Sequence, residues 1–342
     1  MNNENNENKG NDSIVMTPWM GSGFEVSEGA QTAQSVMAEA GLDWTVAERE
    51  LYFSPDGDVM RQTMVERHKA IVREDNGVLL GVVGHKWMPL QNHEAFDFVD
   101  QLIEMGALHY HSAGSFKEGK IIWIQAEFAE SEIVPGDVHK KYLLLVSAFD
   151  GTIAVRIGET DIRVVCQNTL MAALMDFRDR DSVLPEVRIK HTQSMKEKIE
   201  AAKTAIAIAQ NRAQEGDNFM RALARMPMTS DMWSEFGHVL IPDPEGRRNT
   251  RAKNNRDKLI SLGLTGVGQD IPGVAGTGYA AFNAATEYVN FHRSSRGKDI
   301  ATKQANRFRS VLFGQSNKFI GEAVNILNGF LVDNSIQVDS VV

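Results

Sequence analysis

Apolar residues recur along this chain with two different periods, and the change between them divides it. From Asn92 to Gly106 the period is 3.6: Ala95, Phe96, Phe98, Val99, Leu102 and Ile103 share a face, which predicts a helix with Asn92 as its N-cap. From Leu108 onward the period is 2. Leu108–Phe116, Ile121–Phe128, Tyr142–Ala148, Thr152–Arg156 and Asp161–Cys166 are short runs rich in β-branched and aromatic residues. Lys117-Glu118-Gly119-Lys120, Val134-Pro135-Gly136-Asp137 and Asp150-Gly151 separate them as turns, so an antiparallel meander is expected. Upstream, Ser27–Gly41 reads as a short helix and Leu42–Val46 as a strand. His68–Glu74 and Val78–Val83 read as a hairpin closed by Asp75-Asn76-Gly77.

Downstream, Asn168 and Thr169 are placed to cap a helix carrying Leu170, Leu174 and Phe177. Gln193–Arg225 reads as one long helix with an interruption near Gly216, and Arg247–Ile260 as a basic helix behind the breaker Pro242-Asp243-Pro244-Glu245-Gly246. A loop holding Gly263, Gly266, Gly268, Gly273, Gly276 and Gly278 then precedes a helix over Tyr279–His292. The expectation is an α+β fold, a mainly antiparallel β-meander flanked by helices and followed by a helical C-terminal part. Residues 1–15 are expected as a disordered tail, 16–180 as the meander domain, 181–330 as the helical region and 331–342 as a flexible tail.

Composition sets bounds on this picture. With 342 residues and 42% hydrophobic positions a sizeable core is affordable, and no apolar run approaches the ~18–20 residues that span a bilayer. The polar N-terminus does not read as a signal peptide, so a cytoplasmic protein without membrane attachment is expected. A lone Cys166 builds no disulfide within one chain and fits a reducing compartment.

Charge changes the picture more. The net −9 divides into 24 acidic against 11 basic residues over 1–150 and 21 against 25 over 151–342. Between Glu245 and Arg309 twelve Lys/Arg face five acids, among them Arg247, Arg248, Arg251, Lys253, Arg256, Arg293 and Arg296. Such a stripe either is a solvated basic face, pairs with the acidic half of a neighbouring subunit, or holds a polyanion.

Other motifs carry less. Gly114–Lys120 begins like a P-loop, but Ile121 stands where a Mg²⁺-binding hydroxyl belongs, and a strand follows where a helix must begin. Lys117 and Lys120 on that turn can still touch phosphates. Cys166 at a predicted helix entrance is a candidate nucleophile or a core thiol. His109 and His111 share a strand face without an evident third metal ligand, so no metal or cofactor is assigned. The loop ending in Gly273, Gly276 and Gly278 is either a connector or an anion site at a helix N-terminus.

Several segments together resemble a family of phage, prophage and plasmid proteins that carry a domain of unknown function. They are Thr17-Pro18-Trp19 with Gly21 and Gly23, Leu42-Asp43-Trp44-Thr45-Val46, Leu80-Gly81-Val82-Val83-Gly84, and Pro89-Leu90-Gln91-Asn92-His93-Glu94-Ala95-Phe96. Further along come Asp150-Gly151-Thr152, Arg163-Val164-Val165-Cys166-Gln167-Asn168-Thr169-Leu170, Ile189-Lys190-His191-Thr192, and Asn283–Val289 with His292 and Arg293. The resemblance spans about residues 16–315 and departs at Met20, where that family more often has histidine. It implies a mobile-element setting and no particular reaction. In outline the fold is also similar to single-strand annealing recombinases, an analogy of architecture alone. The leading expectation is therefore a homo-oligomeric protein that binds single-stranded DNA and assists annealing, recombination or replication without covalent chemistry. The rivals are an enzyme acting on nucleotides or nucleic acid through Cys166, His191 or Glu287, and an interaction or anti-defence protein using its acidic front half.

Overall fold

The computed structural model describes residues 23–26, 32–104, 108–163, 168–171, 187–195, 197, 205–244 and 249–340. In chain order the strands are β1 (Gly23–Glu25), β2 (Val46–Phe53), β3 (Thr63–Arg73), β4 (Leu79–Gly84), β5 (His109–Phe116), β6 (Ile121–Glu132), β7 (Val138–Ala148), β8 (Val155–Arg163), β9 (Asn168–Met171) and β10 (Val187–Ile189). The helices are α1 (Ala33–Glu39), α2 (Asn92–Glu104), α3 (Ala205–Ala224), α4 (Ser230–Leu240), α5 (Thr250–Thr265), α6 (Gly278–Glu287), α7 (Ile300–Phe313) and α8 (Gln315–Asp333). This is the expected α+β architecture with a helical C-terminal part. No described helix is long and apolar enough to cross a membrane.

Alternation along β5–β8 gives the main sheet two apolar faces. Ile122, Ile124, Leu143, Leu145, Val155 and Ile157 join α1 and α2 in one core. Ile121, Trp123, Leu144 and Val146 meet Phe308, Val311 and Leu312 of α7 in another. Strand order is β1-β5-β6-β7-β8, with β9 and β10 both on the outer edge of β8 at residues 160–163 and 155–157. A third core lies among the helices, where α6 is buried from Gly278 to Glu287. The long β6–β7 hairpin reaches it with Ile133 and Val134. Beside the large sheet, β2-β3-β4 form a three-stranded antiparallel sheet.

Several expectations shift. Leu42–Thr45 is not a strand; pairing begins at Val46. Leu42 and Trp44 are buried on alternate positions, but the amide of Asn92 donates to the Leu42 and Trp44 carbonyls (2.9 and 3.1 Å) and replaces a ladder. Asn92 is accordingly the first helical residue and not a cap. Thr152–Arg156 and Asp161–Cys166 are not two strands: β8 runs unbroken through Gly158, because Glu159 and Asp161 are buried polar positions rather than a turn. Asn168 and Thr169 begin strand β9, paired to Arg163 and Ile162, and cap no helix; Leu174 and Phe177 fall outside the described residues. Helix α3 continues through Gly216, and Gly263 and Gly278 belong to helices, so the glycine loop shortens to residues 266–277.

Gly263 shows why one of those glycines is required. A β-carbon there would lie 2.1 Å from the Trp233 ring, which packs across from α4, whereas one at Gly237 meets nothing closer than 3.6 Å. Gly263→Ala is expected to destabilise the fold by ~1–3 kcal/mol through overpacking. Gly237→Ala should be neutral or mildly stabilising, by up to ~1 kcal/mol from helix propensity. Urea unfolding of the two variants against the parent distinguishes them.

Candidate anion-binding cleft

The C-terminal helices owe their position to a dry polar network at the far ends of β7 and β8. Lys141, 1% exposed, donates to Asp161 directly across the ladder and to Asp217 of α3 at 2.6 Å. His139, two residues before it, contacts Asp161 through Nδ1 and the Tyr279 hydroxyl of α6 through Nε2, both at 2.7 Å. Tyr279 in turn donates to Asp137 at 3.0 Å. Burial alone would lower the Lys141 pKa, but Asp161 and Asp217 together raise it above the ordinary lysine value. Burial would likewise raise the Asp161 carboxyl, yet His139 and Lys141 outweigh it and hold it at about 2. Each of these side chains is hydrogen-bonded within the network, which makes it a joint between layers.

The open site lies on the other side of α6. That helix ends in a π turn, Tyr288–His292, after which the chain straightens at Arg293. The segment leading to α7 is fastened onto that helix: Ser295 donates to the Lys303 carbonyl at 2.9 Å and Asn306 to the Arg296 carbonyl at 2.8 Å. Gly297 lies so close to Lys303 that a β-carbon would sit 2.8 Å from its backbone nitrogen. Asp299 caps α7 by accepting from Thr302 N–H at 2.6 Å. Ser310 and Ser316 bond across the α7–α8 junction at 2.9 Å. Between these segments and the β7–β8 loop lies a cleft of ≈ 660 Å³ lined by Arg156, Arg293, Arg296, Arg307 and Arg309, four serines, Thr152 and Asn306, and, among the described residues, by no carboxylate.

The anchors of these arginines matter more than their number. Arg293 donates to the Gln315 carbonyl (3.2 Å), Arg307 to the Arg293 carbonyl (3.3 Å) and Arg309 to the Thr152 carbonyl (3.3 Å). Arg156 lies 4.2 Å over the Phe313 ring. Carbonyls orient the Arg293, Arg307 and Arg309 guanidiniums without cancelling their charge. Burial pulls the Arg307 pKa below its ordinary value. The remaining N–H donors suit the forked geometry of phosphate oxygens.

The basic stretch of the sequence is thus divided by the fold. Arg293 and Arg296 enter this cleft, joined by Arg307, Arg309 and by Arg156 from β8. Arg156 could not be grouped with them from spacing, since it lies far away in sequence. Lys253 and Arg256 line a separate groove between α4 and α5, where each has an acid partner: Lys253 with Asp257 at 2.6 Å, and Arg256 with Asp243 at 3.0 Å plus the Ile241 carbonyl at 2.6 Å. Arg251 is exposed on α5; Arg247 and Arg248 lie outside the described residues. Lys117 and Lys120 are half-buried in the tight β5–β6 turn, a hairpin and not a P-loop, where Phe116 packs on Phe308 of α7 at 4.7 Å.

The other candidates are placed as follows. Gly273 and Gly276 take positive φ in the loop, and Gly278 opens α6. There Gly278 N–H donates to Met226 O, Ala280 N–H to the Thr277 hydroxyl, and Ala281 N–H to Thr277 O. That entrance is a packed joint. His191 is buried, stacked on Trp87 at 4.5 Å with Nδ1 at 3.0 Å from the Met88 carbonyl. Glu287 is buried at the end of α6, 3.4 Å from His292. His109 is exposed, whereas His111 is buried against Tyr142. Among the described residues no group of three or more His, Cys, Asp or Glu could hold a metal ion. Cys166 lies outside them.

Two measurements test this electrostatic layout. Burial pushes the His111 imidazole down to about 4, aided by Lys140 and His109. The native state therefore resists protonation, and stability present above pH ~6.5 falls as pH drops toward 4, by up to about 3 kcal/mol. His111→Phe should flatten that part of a urea-unfolding pH profile. The depressed Asp161 carboxyl contributes above pH ~4 and is lost as pH falls toward 2. Lys141→Ala removes the buried ammonium shared by Asp161 and Asp217 and should cost ~3–5 kcal/mol at pH 7.

No curated protein and no solved structure matches the chain. A family model, described as Domain of unknown function (DUF932), matches residues 79–312. The matched segment runs from β4 to α7 and so takes in the main sheet apart from β1, the buried joint and most of the arginine cleft, leaving out the Thr17–Gly23 and Leu42–Val46 segments. On that match the chain belongs to the DUF932 family.

Proposed function

We propose that the protein binds the phosphate backbone of single-stranded DNA in the arginine cleft, as a mobile-element protein that assists annealing, recombination or replication. The observation that carries this reading is a cleft lined by five arginines, three of them held by backbone carbonyls, with no carboxylate among its described lining residues. Positive charges crowded around a concave space repel one another, and a polyanion relieves that repulsion while releasing its own counterions. A single strand is flexible enough to enter a concave space of this size, whereas a duplex, stiff over ~150 bp, meets only the rim. Among the described residues the lining offers guanidiniums and hydroxyls but no carboxylate, imidazole or thiol, which favours binding over acid–base turnover. The mobile-element setting rests on the sequence resemblance to phage and plasmid proteins.

Fluorescence anisotropy with a labelled oligonucleotide tests the proposal. Binding should weaken with salt, with a log–log slope of ~0.7 per phosphate contacted. Arg296→Glu and Arg309→Glu should each weaken it by about tenfold or more, a loss of ~1.4 kcal/mol or greater. Lys86→Glu, exposed beyond β4, should leave it unchanged. Absence of binding at low salt, or equal losses in all three variants, would refute the assignment.

A further inference from the structure

Size and charge together narrow what the arginine cleft can hold. At ≈ 660 Å³ it belongs with pockets that enclose a small molecule, which is room for about one or two nucleotides and not for a run of backbone. Each internal phosphate of a strand carries a single charge and two free oxygens. A terminal phosphomonoester carries three free oxygens and about −1.5 to −2 charge at pH 7. The cleft sets against them the carbonyl-held guanidiniums of Arg293, Arg307 and Arg309, with Arg156 and Arg296 in the same lining. Internal links of so short a stretch leave much of that charge unanswered, whereas a strand end answers more of it at one point.

The arginines are also gathered toward one corner. Arg307 donates to the Arg293 carbonyl, and Arg293 donates to the carbonyl of Gln315, the first residue of α8. The lining continues there through Gly314, Gln315 and Ser316. Gly314, just before the helix, has no side chain to cap it, and a β-carbon on it would lie 3.0 Å from the Ser310 Cα. The first turn of α8 holds no acidic residue, so the positive end of this 19-residue helix adds to the field of the two guanidiniums. Ser310 accepts from the Ser316 N–H at 3.2 Å and keeps the corner in shape.

We infer that the cleft selects strand ends, with a terminal phosphomonoester seated where Arg293 and Arg307 meet the opening of α8. This rests on the reading of the cleft as a single-strand site and specifies which part of the strand it takes. Guanidiniums suit such a group because each offers parallel N–H donors to a pair of its oxygens. Arg309, Arg296 and Arg156 are then left to meet the next phosphates of the strand, which a free nucleotide lacks. Arginine does not titrate near neutrality, whereas the second ionisation of a phosphomonoester falls near pH ~6. The selectivity therefore follows the charge of the ligand, full above that pH and fading below it.

The test uses the full chain and internally labelled oligonucleotides of one sequence, bearing a 5′-phosphate, a 3′-phosphate or hydroxyls at both ends. In anisotropy, one of the phosphorylated strands should bind about tenfold tighter than the unphosphorylated one at pH ~7.5 and lose most of that advantage by pH ~5.5. Gln315→Glu, at an exposed side chain, places a carboxylate at the opening of α8 and should abolish the preference with the thermal midpoint unchanged or raised. Equal affinity for all three strands, or a preference that survives Gln315→Glu, would overturn end selection while leaving single-strand binding in place. A nucleoside monophosphate that competes as tightly as the phosphorylated strand would assign the corner to free nucleotides instead. Absence of binding by every strand at low salt would overturn this inference together with the reading it rests on.

Discussion

A lysine ammonium is stable in a dry interior only beside carboxylates, and Lys141 takes one from its own sheet and one from a helix. That requirement sets the sheet against the helical layer. Asp161 must stand opposite Lys141 on β8, which fixes the β7–β8 register. Asp217 must face both, which fixes the rotation of α3. His139 then reaches Tyr279 and positions α6. Apolar contacts are tolerant of small slides, whereas hydrogen bonds to buried charges fail within an ångström or so. The arginine cleft begins where α6 ends, so its geometry depends on this joint even though no residue is shared.

The two basic regions illustrate how folding redistributes charge. In sequence they form one stripe with a local excess of seven positive residues between Glu245 and Arg309. In space, the α5 portion is largely paired with acids along a partly apolar groove, while the 293–309 portion keeps its positive charge and gains Arg156. The division follows from local chemistry: Asp243 and Asp257 lie near α5, and the segment after the π turn places serines and backbone carbonyls beside its arginines.

Much of the fold was legible because it follows from period and turn chemistry. The β5–β6–β7 meander, the Asp75-Asn76-Gly77 hairpin and α2 all stand close to their expected positions. The errors share a cause. β8 was divided because Glu159 and Asp161 look like loop residues unless the buried partners of Asp161 are known, and those come from β7. The Leu42–Trp44 segment alternates like a strand because it is buried like one, while a helix side chain 50 residues away supplies its hydrogen bonds. Sequence singled out Arg293 and Arg296 by charge density. It had no means of joining Arg156 to them, because that contact depends on the β7–β8 loop lying against α7.

The anchoring of the cleft arginines has a further consequence. A guanidinium oriented by a carboxylate loses its orientation when that carboxylate is protonated, but a peptide carbonyl and a phenyl ring have no proton to exchange near neutrality. The positive field of Arg293, Arg307 and Arg309 is therefore insulated from acidity across a range in which the protein around it is not: His111 and Asp161 make the interior sensitive to acid, whereas these carbonyl-held guanidiniums are not. As the medium acidifies, such a protein gives up its fold before it gives up its charge.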